Sequence, residues 1–181
     1  MPNAGILRIK IDGAIRRATE AQKRWPAANR LYRQIFADLG MPLLPGYEEV
    51  TCSIDDFKAG YDYILGIDVI LTLENEGKLT LQEKFLFTRY RTVTVEYMQN
   101  PVAGERGDWF NMKTQLYFVG YDRNGTLDFQ EWILLNWPAV KMANINWRVR
   151  ANRFEGAQAN FRYARFDDFP NNCIIARSAN Q

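Results

Sequence analysis

Asp68, Gln82 and Lys84 are the residues of this sequence whose types and spacing could perform chemistry together. Asp68 lies in an apolar run, and fourteen positions later Gln82 and Lys84 flank Glu83. Asp68 would bind a divalent cation directly, with the side-chain oxygen of Gln82 as a second, neutral ligand. The cation would lower the pKa of a bound water, and Lys84 would orient or deprotonate that water. The three residue types therefore predict hydrolysis of a phosphodiester bond.

A β-hairpin is the element predicted to bring these residues together. Tyr63 to Leu73 is rich in β-branched and aromatic residues, Glu74 to Lys78 has the composition of a turn, and Leu79 to Thr88 forms the returning strand. With the turn centred on the middle of its segment, Asp68 lies across from residues 82–84.

The alternation of side chains along the returning strand decides which residues can meet. Successive residues of a strand point to opposite faces, so Gln82 and Lys84 share one face and Glu83 points to the other. The face of Glu83 is predicted to be covered, because it also carries the apolar residues Leu79, Leu81 and Phe85.

Helices are predicted ahead of the hairpin. Apolar residues recur at helical spacing among basic ones from residue 12 to residue 39. Pro26 predicts the start of a second helix at its first turn, with a break near Trp25. Gly40, followed by Met41 and Pro42, predicts the end of that helix.

More strands follow, and the order of elements predicts the fold class. Thr92 to Met98 alternates with period two, and Met112 to Tyr121 and Leu127 to Leu135 flank the turn signal Asn124-Gly125. Helices before a mixed sheet predict an α/β fold bordering on α+β, with a central mixed sheet flanked by helices. We expect one domain over residues 1–181: a helical part at 10–40, a sheet core at about 60–135 and a basic segment at 141–181.

The absence of histidine restricts the possible chemistry. It excludes Ser-His-Asp and Cys-His catalysis, zinc held by histidine, and nucleases with a histidine base. Cys52 and Cys173 match no metal-ligand spacing, and idle thiols are typical of a reducing cytoplasm. The expected cofactor is therefore a hard cation held by oxygen ligands, Mg²⁺ or Mn²⁺.

Charge is unevenly distributed although the net charge is only +2. The first 34 residues are strongly basic, and acids dominate from Asp38 to Glu76, where Lys58 is the basic residue. Arginines outnumber acids again near the C-terminus. The pattern suits a protein that holds a polyanion at both flanks and a cation in the middle, although solvated helix faces and an acidic loop would give it too. The predicted DNA contacts are Arg16, Arg17, Lys23, Arg24, Arg89 and Arg91.

The sequence from Gly66 to Leu71, followed after a short turn by Leu81 to Phe85, resembles the PD-(D/E)XK nuclease superfamily. Gln82 stands where the superfamily usually has Asp or Glu, a Q-x-K form that resembles some homing endonucleases. The resemblance implies a restriction-endonuclease-like fold and a metal-dependent endonuclease that cuts double-stranded DNA. It also implies a further carboxylate, for which Glu20 in the first helix is preferred over Glu96.

A double-strand break made with one site per chain implies a homodimer or a higher symmetric assembly. Four other interpretations remain open for the same residues. The chain could be a weak or inactive DNA-binding module that keeps the nuclease fold, or a small interaction protein with basic helices. Asp68 could form a structural ion pair with Lys84, and Glu83-Lys84 could be a solvated strand edge.

Overall fold

The computed structural model of the protein describes residues 23–44, 48–49, 67–87, 90–151 and 159–179. The helices in these ranges are α1 (Trp25–Asp38), α2 (Asp108–Asn111) and α3 (Trp137–Met142). The strands are β1 (Glu48–Glu49), β2 (Val69–Thr72), β3 (Lys78–Leu86), β4 (Thr92–Asn100), β5 (Glu105–Arg106), β6 (Leu116–Tyr121), β7 (Glu131–Asn136), β8 (Arg148–Ala151), β9 (Asn160–Arg165) and β10 (Ile174–Arg177). The helix predicted before residue 23 lies outside the described residues.

Helix α1 has the boundaries that its proline and glycine predict. Pro26 lies in its first turn, where the missing amide hydrogen costs nothing. The helix ends in a Schellman motif, because Gly40 N–H donates to the carbonyl of Ala37 and Met41 N–H donates to that of Phe36. Gly40 adopts a φ of 70°, which glycine reaches without a steric penalty.

The central sheet has six strands in the order β1-β2-β3-β6-β7-β10. Strands β2 and β3 form the predicted antiparallel hairpin, with Val69 opposite Leu81 and Thr72 opposite Lys78. Strand β3 runs parallel to β6, whereas the other pairings in this sheet are antiparallel. The central sheet is therefore mixed, and with its helices the protein has the predicted mixed α and β content.

A second, antiparallel sheet has four strands in the order β5-β4-β9-β8. It contains β4, which follows β3 in sequence but pairs with β9 rather than with the hairpin. Strand β4, which was predicted as part of the sheet core, therefore belongs to the second sheet instead of the central one. The C-terminal segment, for which the sequence predicted only basic charge, supplies β8 and β9 here and β10 at the edge of the central sheet.

The two faces of the central sheet are covered by different layers. Alternate residues of β3, β6 and β7 pack against α1, where the rings of Tyr32 and Phe118 meet edge to face at 5.1 Å. The opposite residues pack against the second sheet, so that Val95 of β4 shares a core with Val119 of β6. The protein therefore has a helix, a mixed sheet and a second sheet in three successive layers.

In the described ranges, no helix is long and apolar enough to cross a membrane.

Candidate functional site

The hairpin places Asp68 and Gln82 in direct contact. Asp68 immediately precedes β2, and its N–H donates to the carbonyl of Leu81. Its carboxylate Oδ2 accepts a hydrogen bond from Nε2 of Gln82 at 2.7 Å and another from the backbone N–H of Glu83 at 2.7 Å. The proximity predicted from the hairpin turn is therefore present, with the amide of Gln82 oriented as a donor to the carboxylate.

Residues 82 to 84 alternate between the two faces of the central sheet as predicted. Glu83 faces α1, where Oε1 accepts a hydrogen bond from the hydroxyl of Tyr32 at 2.7 Å. Lys84 faces the second sheet, where Nζ donates to the carbonyl of Thr94 at 3.0 Å. Both side chains are partly buried and hydrogen-bonded, which excludes the interpretation that Glu83 and Lys84 form a solvated strand edge. The hydrogen bond of Lys84 goes to a backbone carbonyl rather than to Asp68.

Lys84, Glu96 and Asp108 form a cluster of charges that interact electrostatically. Burial lowers the pKa of Lys84, and the negative charges of Asp108 and then Glu96 act in the opposite direction. Burial raises the pKa of Glu96, Asp108 raises it further, and Lys84 lowers it. The pKa of Lys84 is therefore lowered and that of Glu96 raised, so the two values move towards each other, a pattern found at sites of proton transfer.

Tyr117 connects the Asp68–Gln82 contact with the charge cluster of Lys84, Glu96 and Asp108. Its hydroxyl donates to the carbonyl of Thr94 at 2.9 Å, the same oxygen that accepts from Lys84. Burial raises its pKa well above 10.0, and the charges of Asp108 and Asp68 add to that effect. Tyr117 is therefore within electrostatic range of both carboxylates and is kept as a neutral hydrogen-bond donor.

Sequence reasoning missed Asp108 and Tyr117. Tyr117 reaches the site because β6 runs parallel to β3 and places it beside Gln82. No local pattern predicts such a pairing, since parallel strands are joined through distant segments. Asp108 begins the four-residue helix α2, which packs against β4. Glu96 was foreseen as a second candidate, whereas the preferred Glu20 lies outside the described residues.

The fit of a divalent cation depends on Asp68 and Gln82. Oε1 of Gln82 is buried and has no hydrogen-bond partner, although the same amide donates to Asp68. A buried amide oxygen without a partner is costly, and a cation would satisfy it. Within the described ranges, no three carboxylate or thiol groups lie together as a metal site. Mg²⁺ needs fewer, since one or two carboxylates with waters and substrate phosphates usually hold it.

The predicted DNA contacts have different surroundings. Lys23 is exposed, whereas Arg24 is 3% exposed and its Nη2 lies 2.7 Å from Oδ2 of Asp122. Arg24 therefore ties the start of α1 to the β6–β7 turn. Because its guanidinium is buried and ion-paired, it is not available to contact a phosphate. Arg91 lies 3.5 Å from Glu131 and above the ring of Phe166. The positions of Arg16, Arg17 and Arg89 fall outside the described residues.

No protein-family profile, curated protein or solved structure matches this chain. The likeness to PD-(D/E)XK nucleases rests on the residues of the hairpin.

Proposed function

We propose that the protein is a metal-dependent endonuclease that hydrolyses phosphodiester bonds of double-stranded DNA. Gln82 is the observation that carries the proposal. Its amide nitrogen binds the carboxylate of Asp68, while its buried oxygen is left without a partner. A carboxylate and the unsatisfied amide oxygen of the residue that contacts it are ligand types that a hard cation prefers.

Asp68 and Gln82 are assigned to holding Mg²⁺ or Mn²⁺. When bound, the cation supplies Lewis-acid stabilisation of the phosphate and a water of lowered pKa. The backbone N–H of Glu83 and Nε2 of Gln82 fix the orientation of the Asp68 carboxylate through two hydrogen bonds of 2.7 Å. That fixed carboxylate lowers the reorganisation needed when the site fills.

Lys84 is assigned to proton transfer and charge compensation. Its lowered pKa means that the ammonium gives up a proton at a lower pH than an exposed lysine does. Asp108 and Glu96 limit the lowering and so keep Lys84 able to carry a proton as well as to accept one. Glu96, whose pKa is raised and which interacts electrostatically with Lys84, is a carboxyl group suited to exchange that proton.

Double-stranded DNA inside the cell is proposed as the substrate because both flanks of the chain are basic and the middle is acidic. Lys23 is the exposed cation among the predicted contacts within the described ranges. A homodimer or higher symmetric assembly would place two sites on opposite strands and give a double-strand break.

A DNA-binding protein without cleavage activity is the second candidate, and the hydrogen bonds of the site favour it. Oδ2 of Asp68 accepts two protein hydrogen bonds and Nζ of Lys84 donates to Thr94, so both groups have structural roles. In this alternative the network stabilises the packing of the two sheets and leaves only the basic surface functional.

Plasmid cleavage separates the two candidates. The endonuclease predicts nicked or linear plasmid with Mg²⁺ or Mn²⁺, and intact plasmid when EDTA is present. Filter binding of the same plasmid in EDTA, repeated over a salt series, measures DNA affinity independently of cleavage. Salt-dependent binding with intact plasmid in every metal would contradict the endonuclease and support the second candidate.

A further inference from the structure

A pocket lies where the segment after α3 meets strands β8 and β9. Its volume is about 510 Å³, within the range of about 300–1,000 Å³ typical of small-molecule sites. It is lined by Asn144, Ile145, Asn146, Trp147, Val149 and Arg162. The wall therefore combines two amides, an indole, two aliphatic side chains and a guanidinium, without a carboxylate.

Two cations approach one indole ring beside this pocket. The guanidinium carbon of Arg162 lies 4.7 Å from the ring centroid of Trp109 and 4.2 Å from that of Tyr97. Nζ of Lys141 lies 4.2 Å from the same Trp109 centroid. The aromatic rings hold the cations in place through their negative faces but carry no charge to neutralise them.

Among the residues that the structure describes, Arg162, Lys141 and Lys113 form no ion pair with a carboxylate. Nε of Arg162 is buried and has no hydrogen-bond partner. The pKa of Lys141 is lowered to about 8 by burial and then by the positive charges of Lys113 and Arg162. Two cations that lower the pKa of a third indicate a local positive potential, which favours an anion.

We propose that this pocket binds a phosphate-bearing ligand of nucleotide size. Arg162 contacts the phosphate, because a guanidinium presents several donors that match phosphate oxygens. Lys141 and Lys113 add attraction at longer range. Trp147, Asn144 and Asn146 line the remaining space and suit a planar base with polar edges. The ligand is either a free mononucleotide or the phosphorylated end of a nucleic-acid strand, and neither depends on the cleavage proposed above.

Binding is tested by calorimetry with adenosine monophosphate, and with adenosine as the control that lacks the phosphate. Adenosine monophosphate is expected to bind at least tenfold more tightly than adenosine. The variant Asn146→Asp places a negative charge at an exposed position of the pocket wall and should weaken binding of the nucleotide at least tenfold. Asn124→Asp makes the same charge change in the exposed β6–β7 turn and should leave binding unchanged.

Arg162→Gln should weaken binding of adenosine monophosphate at least tenfold, and Arg165→Gln, an exposed arginine of the same strand, serves as its control. Thermal melting shows whether Arg162→Gln folds, and Asn146→Asp keeps the test decisive if it does not. A trinucleotide with and without a 5′-phosphate then distinguishes the two sources. Tighter binding of the phosphorylated trinucleotide than of the mononucleotide indicates a strand end, and the reverse indicates a free nucleotide. Undetectable binding of every phosphate-bearing probe, equal affinity for adenosine, or unchanged affinity in Asn146→Asp would overturn the proposal.

Discussion

At the scale of single residues, Gln82 is the unusual feature of the candidate site. A carboxylate in its place would put a second negative charge beside Asp68, so Gln82→Glu is expected to lower the Mg²⁺ concentration needed for half-maximal plasmid cleavage. Gln82→Ala should raise that concentration, because it removes a ligand. Titration of Mg²⁺ in the cleavage assay measures both effects.

Gln115→Glu is the matched control for this change. Gln115 is exposed, and its Oε1 accepts from the N–H of Thr80, a role that a carboxylate retains. It should leave the Mg²⁺ requirement unchanged. If Gln82→Ala also leaves the requirement unchanged, Gln82 is not a ligand.

The pKa of Lys84 depends on two carboxylates, and their order of influence is testable. Asp108→Asn should lower the pKa of Lys84 more than Glu96→Gln does, because Asp108 makes the larger favourable contribution. Lysine side-chain NMR over a pH titration measures the shift. Asp128→Asn, a change in the exposed β6–β7 turn, should have no effect. A pKa of Lys84 that rises in Asp108→Asn would contradict the charge cluster.

The contact between Asp68 and Gln82 could be predicted because a short hairpin fixes which residues lie opposite one another. The same logic correctly separated Glu83 from Lys84, since side-chain alternation is a local property of one strand. The role of Tyr117 could not be predicted, because it depends on the parallel pairing of β6 with β3. Arg24 was misread as a surface cation because its partner, Asp122, is distant in sequence and a basic residue beside basic residues suggests solvent.

At the scale of elements, the buried ion pair of Arg24 and Asp122 anchors α1 to the β6–β7 turn. Asp122 also accepts from the N–H groups of Thr126 and Leu127, so it organises the turn. Arg24→Met should destabilise the protein by about 3–5 kcal/mol, because it leaves a buried carboxylate without its cation. Urea unfolding measures the loss.

Arg30→Met tests an exposed arginine of the same helix and should change the free energy of unfolding by less than about 0.5 kcal/mol. Equal stability of Arg24→Met and the wild type would show that the anchor is unimportant.

Lys141 in α3 gives a pH dependence with a definite sign. Its folded pKa of about 8 lies below its ordinary value of 10.5, so the folded state loses the proton first as pH rises. The unfolded state then binds more protons, and stability rises with pH. The free energy of unfolding of the wild type, relative to Lys141→Met, should therefore increase between pH 8 and 10.5. Urea unfolding at several pH values tests this, and a relative decrease would contradict it.

The boundaries of α1 and the hairpin followed from the sequence because proline, glycine and turn residues act locally. The assignment of strands to two sheets did not follow. Strands β4 and β9 pair across a long sequence separation, and the period-two pattern of β4 fits either sheet equally. The C-terminal strands were missed because basic residues on an exposed edge, as in β8, hide the alternation that identifies a half-buried strand.

At the scale of the whole molecule, the three layers explain how the charged side chains of Glu83 and Lys84 are partly shielded from solvent. Helix α1 covers the face of Glu83, and the second sheet covers the face of Lys84. Two neighbouring residues of one strand should therefore have different roles, with Lys84 needed for cleavage and Glu83 for packing against Tyr32.

Plasmid nicking in Mg²⁺ by Lys84→Met and Glu83→Gln tests this claim most directly, with circular dichroism to show that both variants fold. Lys84→Met should cut about 10²–10⁴-fold more slowly than the wild type, the range lost with a group that transfers protons. Glu83→Gln should retain cleavage, because the amide oxygen still accepts from Tyr32. A wild type that never cuts, a folded Lys84→Met that cuts at the wild-type rate, or a Glu83→Gln that loses as much activity would contradict the proposed site.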